Sequence, residues 1–229
     1  MAREAIRGAS RICYPGPHYN DVFEALGKEV FPGNYYGFMG NKIKQTCLFQ
    51  LHGIPHPKTR LYYGSDPAPS ILEDFLLPLV AKTPVGSSRG SGVWLIQDEN
   101  ALRCYLEKHR PAYIQEYLPI DRDLRVVLVN RQVVHAYWRV PLPGEFRSNV
   151  SRGARISTEG IPDDALEFAE TVADRCGFDE VGLDVCHAVG QYYVLEANMV
   201  YGLEGFRQMG MDIYEILGTV ELEGSLTPG

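Results

Sequence analysis

Val181-Gly-Leu-Asp-Val-Cys-His-Ala-Val-Gly-Gln-Tyr-Tyr-Val-Leu-Glu-Ala-Asn198 reads as two strands around a turn at Gly190. Alternate residues of a strand share a face. Folding the stretch symmetrically about Gly190 sets Asp184 opposite Glu196, Leu183 opposite Ala197, Val185 opposite Leu195 and His187 opposite Tyr193. One face is then mostly apolar, and the other carries Asp184, Glu196 and Asn198. A slip of one residue would destroy that separation, so the pattern itself argues for the register. Two carboxylates and an amide are hard oxygen donors. They suit Mg²⁺ or Mn²⁺, which take waters and substrate phosphates at their remaining positions. The bland alternative is a solvated sheet face, which would more usually also carry Lys, Thr and Ser.

Working outward, the flanking segments supply groups for a phosphate. Residues 41–52 read as a helix with Ile43, Cys47, Leu48 and Leu51 on one stripe and Lys42 near its start. Pro78 to Lys82 reads as a buried strand that ends in a lysine. The run from Gly86 to Gly92 holds three glycines, three serines and an arginine, and Val93-Trp-Leu-Ile96 follows as a strand. Strand–loop–strand is not a Walker A arrangement, which needs a helix after the loop. Its amides and hydroxyls suit a flap over a phosphate. Taken alone it is equally a flexible hairpin.

The remaining elements alternate. A short strand at Arg11–Tyr14 and a helix from Asn20 or Asp21 to Leu26 lie at the front. Ser70 is expected to cap a helix over 71–77, and Asp98 one that runs to about Lys108. Residues 112–118 form a strand; 123–129 and 132–139 form a hairpin turned at Asn130-Arg131. Pro162 starts a helix through about Cys176, and 202–222 is helical. Helices mixed with antiparallel hairpins mean an α+β fold, not a doubly wound Rossmann sheet.

Bulk properties exclude several classes. The chain has 229 residues and a net charge of -7, without the basic footprint of a nucleic-acid binder. The five cysteines (Cys13, Cys47, Cys104, Cys176, Cys186) are scattered, with no zinc spacing or disulfide framework. The first residues carry no secretory apolar core, and no apolar run spans a bilayer. A cytoplasmic protein that meets neither nucleic acid nor membrane is expected.

In order, Asn41-Lys42, Lys82, Gly86 to Val93, Gln115-Glu116-Tyr117-Leu118, Asp123-Leu124-Arg125, Phe146-Arg147-Ser148-Asn149, Gly182-Leu183-Asp184-Val185, Leu195-Glu196-Ala197-Asn198 and Gly202-Leu203-Glu204-Gly205 resemble the ATP-grasp superfamily. The branch is RimK-like, the ribosomal-protein glutamate ligase type, and the resemblance covers residues 41 to 217. It implies two α+β subdomains, 41–114 and 115–229, clamping ATP, behind a segment 1–40 that is the remnant of a preceding domain. It implies that Lys42 and Lys82 hold the phosphates beneath the flap of Gly86, Ser87, Ser88, Gly90 and Gly92. The hinge would be Gln115, Glu116, Tyr117 and Leu118, with the backbone of Glu116 and Leu118 on the adenine. Asp123 would take the ribose; Arg147, Ser148 and Asn149 would face the γ-phosphate and the acyl group. Asp184, Glu196 and Asn198 would bind Mg²⁺ (or Mn²⁺), and Arg147 with Arg139 would stabilise the tetrahedral intermediate.

The implied activity is ATP-dependent amide or peptide bond formation between a carboxylate and an amine, through an acyl phosphate. The alternatives are an ATP-binding module without ligase activity and a phosphotransferase. Two departures stand out. After Asn198 the chain reads Met199-Val-Tyr-Gly202 where the family usually has a small residue and Pro-Gly, and the segment before Lys42 is short. The aromatic residues Phe31, Tyr35, Tyr36 and Phe38 need a surface to bury against: the nucleotide-binding body, or a partner such as a second copy in a homodimer.

Overall fold

The computed structural model describes residues 2–33, 35–87, 92–146, 148, 150 and 153–224. The N-terminal unit is α1 (Ala2–Gly8), β1 (Arg11–Cys13), α2 (Asn20–Ala25), β2 (Glu29–Phe31) and α3 (Tyr35–Phe38), with β1 and β2 parallel. A unit this small cannot bury a core of its own. Phe31 is buried, and the Phe38 ring meets Phe178 edge-on at 5.6 Å. The aromatic run therefore buries in part against the body of the same chain.

The next section is α4 (Lys42–Leu51), β3 (Thr59–Tyr62), α5 (Ala68–Asp74), β4 (Leu79–Lys82), β5 (Val93–Ile96), α6 (Glu99–Leu106) and β6 (Ala112–Glu116). Its strands form an antiparallel sheet in the order β3-β6-β4-β5. Strand alternation explains why β4 is apolar yet ends in lysine. Leu79 and Ala81 enter the core with Ile71, Leu102 and Ile114, while Val80 and Lys82 line the cavity on the other face. The Asp98 carboxylate caps α6 by accepting from the Ala101 amide at 2.8 Å. The expected cap at Ser70 is wrong: the helix begins at Ala68 after Pro67, and Ser70 lies inside it.

The apolar stripe expected on α4 is also wrong. Its buried face carries Lys42, Gln45, Thr46 and Phe49, whereas Leu51 is 79% exposed. The polar members have partners: Gln45 Oε1 accepts from the Ala197 amide at 3.3 Å, and Thr46 shares a 2.6 Å hydrogen bond with Tyr113. Buried polar groups are tolerated when satisfied in this way.

The last section is β7 (Asp123–Val129), β8 (Gln132–Val140), β9 (Arg155–Ser157), α7 (Asp163–Cys176), β10 (Glu180–Ala188), β11 (Gln191–Asn198), α8 (Glu204–Gln208) and α9 (Ile213–Gly224). The strands form an antiparallel sheet in the order β11-β10-β7-β8-β9. One face packs Leu124, Val126, Leu183 and Val185 against Ala165, Ala169, Val172 and Ala173 of α7, with Phe49 of α4 in the same core. Gly177 closes α7 in the left-handed conformation, and the Phe178 amide reaches back to the Ala173 carbonyl at 2.8 Å. The opposite face is charged at one end and holds Val127, Tyr201, Phe206 and Ile213 at the other.

The decisive hairpin departs from symmetry. Its turn is the two-residue pair Val189-Gly190, both at positive φ, so Ala188 pairs with Gln191, and His187 with Tyr192 rather than Tyr193. Carried on, that register would face Asp184 with Leu195. A bulge intervenes: Val185 pairs with Val194, Asp184 with Glu196, and Leu195 is the extra residue. Asp184 and Glu196 are thus opposed as expected, while the Val185–Leu195 and His187–Tyr193 pairings are not formed. The β7–β8 turn at Asn130-Arg131 likewise has both residues at positive φ, the two-residue hairpin geometry.

Gly205 of α8 lies under Tyr137; a Cβ there would stand 2.2 Å from Cε1 of that ring. Gly205→Ala is expected to lower stability by about 1–3 kcal/mol through overpacking, read as a shift of the urea midpoint. An unchanged midpoint would mean that Tyr137 is not pinned by α8.

Candidate functional site

A cavity of about 490 Å³ lies between the two larger sheets and is lined from both. Three backbone ties bring its lysines together. The Lys42 amide donates to the Pro84 carbonyl at 3.0 Å, Gly86 to Gly40 at 2.9 Å, and Thr83 to Gly92 at 2.8 Å. The first two fasten the start of α4 to the base of the β4–β5 loop, and the third closes that base. Gly92 is required there, since a Cβ would stand 2.5 Å from that of Ser87. Asn41 caps α4 by accepting from the Lys44 amide at 3.0 Å, which sets Lys42 at the first helical position.

Lys42 Nζ reaches Glu196 Oε1 at 2.9 Å and Ser87 Oγ at 3.2 Å. Lys82 Nζ donates to the Leu195 carbonyl at 3.3 Å, so the bulge that restores the register also offers its backbone to a lysine. Burial pushes the Lys82 ammonium down to about 8; Glu196 holds it up and Lys42 pushes it further down.

Across the cavity, β7, β8 and β10 form a four-member charge network. Arg125 Nε donates to Asp184 Oδ1 at 2.6 Å, and Arg139 Nη2 to the same oxygen at 3.0 Å. Arg139 Nε donates to Asp123 Oδ1 at 2.6 Å. All four are at least nine-tenths buried. Burial raises both carboxyls, but at Asp184 two guanidiniums overcome it and hold the group below its ordinary range. At Asp123, with Asp184's charge nearby, burial wins and the carboxyl is raised. Burial lowers the Arg139 pKa and the two aspartates outweigh it, so that guanidinium stays charged.

Fourteen of the nineteen expected site residues meet here. Lys42, Lys82, Ser87, Gly92, Gln115, Glu116, Tyr117, Leu118, Asp123, Arg139, Ser148, Asp184, Glu196 and Asn198 line the cavity. Gly86, at φ +78°, is not among the lining residues. Ser88, Gly90, Arg147 and Asn149 lie outside the described residues. The Gln115 side chain turns away to Thr59 at 2.9 Å, and the Glu116 amide is taken by the Lys58 carbonyl at 2.9 Å. Arg125, Tyr137, Tyr201 and Glu204 also line the cavity without an expected role. Arg125 had a signal: two positions from Asp123 on one strand, it shares that residue's face.

A divalent cation fits the donor set. The Asn198 amide nitrogen donates to the Gly182 carbonyl at 3.3 Å and to Asp184 Oδ2 at 3.2 Å, which turns its oxygen toward other partners. Among the described residues no three His, Cys, Asp or Glu gather as a cluster, so a metal here would use the mixed carboxylate–amide set completed by phosphate oxygens.

This architecture, two antiparallel sheets enclosing a lysine- and carboxylate-lined cavity, is that of the ATP-grasp ligases. A structure of the ATP-grasp ligase PsnB, complexed with a phosphomimetic variant of a minimal precursor, Mg and ADP, superposes with a TM-score of 0.67 at 22% identity. That match covers 90% of this chain and 65% of PsnB. A RimK domain protein from Sphaerobacter thermophilus gives 0.68 at 18% identity, covering 90% of this chain and 76% of the other. A probable alpha-L-glutamate ligase of Enterobacter is 29% identical over 238 aligned residues, covering 90% of this chain and 78% of the relative. A ribosomal protein bS6--L-glutamate ligase of Salmonella schwarzengrund is 28% identical with the same coverage. The model of the RimK-like ATP-grasp domain matches residues 39–219. The chain belongs to the RimK-like ATP-grasp family, and its class is that of ligases forming carbon–nitrogen bonds.

The five cysteines form no disulfide, and no helix among the described residues is long and apolar enough to cross a membrane.

Lys82 has a folded pKa near 8, below the 10.5 of the exposed group. Its ionised burial therefore costs stability below pH 8, and the cost fades as pH rises from 8 to 10.5. Lys82→Met is expected to gain up to about 3 kcal/mol at pH 7 by this linkage and to lose the gain by pH 10.5, while binding ADP less tightly. Denaturant titrations at both pH values test it. Equal stability of the two proteins at pH 7 would contradict the burial of a charged ammonium.

Proposed function

We propose that the protein is an ATP-dependent carboxylate–amine ligase that works through an acyl phosphate and uses an amino acid, with glutamate the first candidate. The observation that carries this is the single cavity holding Lys42 and Lys82, the 115–118 segment, and the opposed Asp184 and Glu196 with Asn198 beside them. A phosphate-binding half and a cation-binding half face one space.

The carboxylate substrate attacks the γ-phosphorus, the bond to the β-phosphate oxygen breaks, and ADP leaves. The amine then attacks the acyl carbon; inorganic phosphate departs with the electron pair of the carbon–oxygen bond, and the nitrogen loses its proton to solvent. Lys42 and Lys82 would draw the phosphates between them, and Asp123 would orient the ribose. The Glu116 carbonyl and Leu118 amide would take the adenine edge, because the Glu116 amide is already used by Lys58. Asp184, Glu196 and Asn198 would hold Mg²⁺, which neutralises charge on the phosphate oxygens when bound. Arg139, whose guanidinium stays charged, would stabilise the oxyanion of the tetrahedral intermediate together with Arg147. The segment 86–92 would keep water from the acyl phosphate. Relatives named as glutamate ligases of ribosomal protein bS6 suggest a protein or peptide terminus as the carboxylate.

The test is ADP release from ATP with L-glutamate and acidic peptides, with mass spectrometry of the products. Amine-dependent ADP release and a product heavier by one or more glutamyl residues are expected. ADP release that ignores the amine and leaves a phosphorylated product would favour a phosphotransferase; no turnover would favour a binding module. Glu196→Gln is expected to lose at least about 100-fold in kcat, the scale at which a transition-state charge contact acts, and to lower the thermal midpoint because buried Lys42 loses its counter-charge.

A further inference from the structure

The N-terminal unit reaches the cavity through one buried carboxylate. Tyr14, just past β1, donates to Glu180 Oε2 at 2.8 Å, and Tyr201 donates to Glu180 Oε1 at 2.7 Å. Glu180 opens β10 and is 5% exposed; Tyr201 lines the cavity on the segment that follows Asn198. Three parts of the chain distant in sequence thus meet on a single side chain.

Both tyrosines are held at their other ends. Tyr14 has φ +47°, which a bulky residue seldom adopts. Its amide donates to the Phe31 carbonyl at 2.7 Å, and its ring packs edge-on against Phe31 at 5.8 Å. A backbone held there persists only where its surroundings over-determine it. At the far end, Tyr201 rests on β10 beside Asp184: a Cβ on Gly182 would stand 2.6 Å from that of Tyr201 and 3.3 Å from Arg125 Cδ. The glycine lets Tyr201 and Arg125 approach the strand together. Burying a carboxylate between two rings costs desolvation that an apolar packing would avoid. What the arrangement supplies instead is a fixed ring direction.

If phosphates end at Asp184, Glu196 and Asn198, the lining beyond them faces the acyl phosphate formed there and the amine of the amino acid that attacks it. That lining includes Val200, Tyr201 and Gly202. We propose that Tyr201 is a specificity-determining wall of the amino-acid substrate pocket, and that Tyr14, acting through Glu180, is the positioning residue that fixes it. The proposal rests on the ligase function above. The N-terminal unit then orients the substrate side of the cavity from behind.

Tyr14→Phe tests this, since Tyr14 is 40% exposed and the change removes one hydroxyl. With Mg²⁺, ATP and L-glutamate as the probe, KM for L-glutamate is expected to rise at least about fivefold, while kcat and ADP affinity stay within about twofold. An unchanged KM would overturn the proposal. Hydrogen exchange on the same variant needs no substrate, so it separates failure of the positioning claim from failure of the ligase function. Amides of residues 199–203 should exchange at least about tenfold faster than in the parent, while those of β4 and β6 keep their rates. Unchanged exchange at 199–203, or a uniform rise through the whole chain, would overturn the role of Tyr14.

Discussion

The structure depends on Asp184 being buried and ionised. That carboxylate sits in the middle of a sheet, where the guanidiniums of Arg125 and Arg139, with the Asn198 amide on its other oxygen, make its charge tolerable. Asp123 then balances Arg139. On the neighbouring strand of the same sheet, the half-buried Glu196 is paired with the buried Lys42. Buried ion pairs are rarely the most stable filling for a core, and breaking one strands its partner. Their concentration on the cavity side of the five-stranded sheet, with an apolar core on the other, sets charge where packing alone would have placed apolar side chains. Under the proposed function, metal and phosphates, being of opposite charge, would together take over both halves of these pairs. Either one alone would leave a cation or an anion without its counter-charge.

Geometry makes that exchange possible. The β10–β11 hairpin closes with a two-residue turn, whose register would face Asp184 with Leu195. The bulge corrects this within one residue and leaves the Leu195 carbonyl to accept from Lys82. The same irregularity therefore aligns the two carboxylates and locates the second lysine. The first lysine is located independently, by the cap at Asn41 and by the ties of 84 and 86 to the start of α4. Gly182 has a comparable double use, since it seats both Arg125 and Tyr201 on the strand that carries Asp184.

Much of this was legible in the sequence, for physical reasons. Asp184, Glu196 and Asn198 stand out because strand alternation separates hard donors from apolar residues, and the opposition of Asp184 and Glu196 follows from it. The bulge was not legible. It depends on a two-residue turn being compensated within the strand, and symmetric folding about Gly190 conceals both errors at once. The α4 stripe was misread because amphipathic patterning assumes an apolar buried face, whereas this helix buries Lys42 toward the cavity, Gln45 against the Ala197 amide and Thr46 against Tyr113. Arg125 was within reach, on the same face as Asp123. Tyr14, Glu180 and Tyr201 were not, since they meet only through tertiary structure. Lys42, Lys82, the 115–118 segment and Asp123 were legible as an ordered set rather than singly.

If nucleotide and cation occupy one charge-matched site, they must bind as a unit. Calorimetric titration of ADP into the protein, at saturating Mg²⁺ and again in EDTA, tests this most directly. At least about tenfold tighter binding with Mg²⁺ is predicted, a coupling of roughly 1.4 kcal/mol or more. Equal ADP affinity in the two buffers would contradict a shared site.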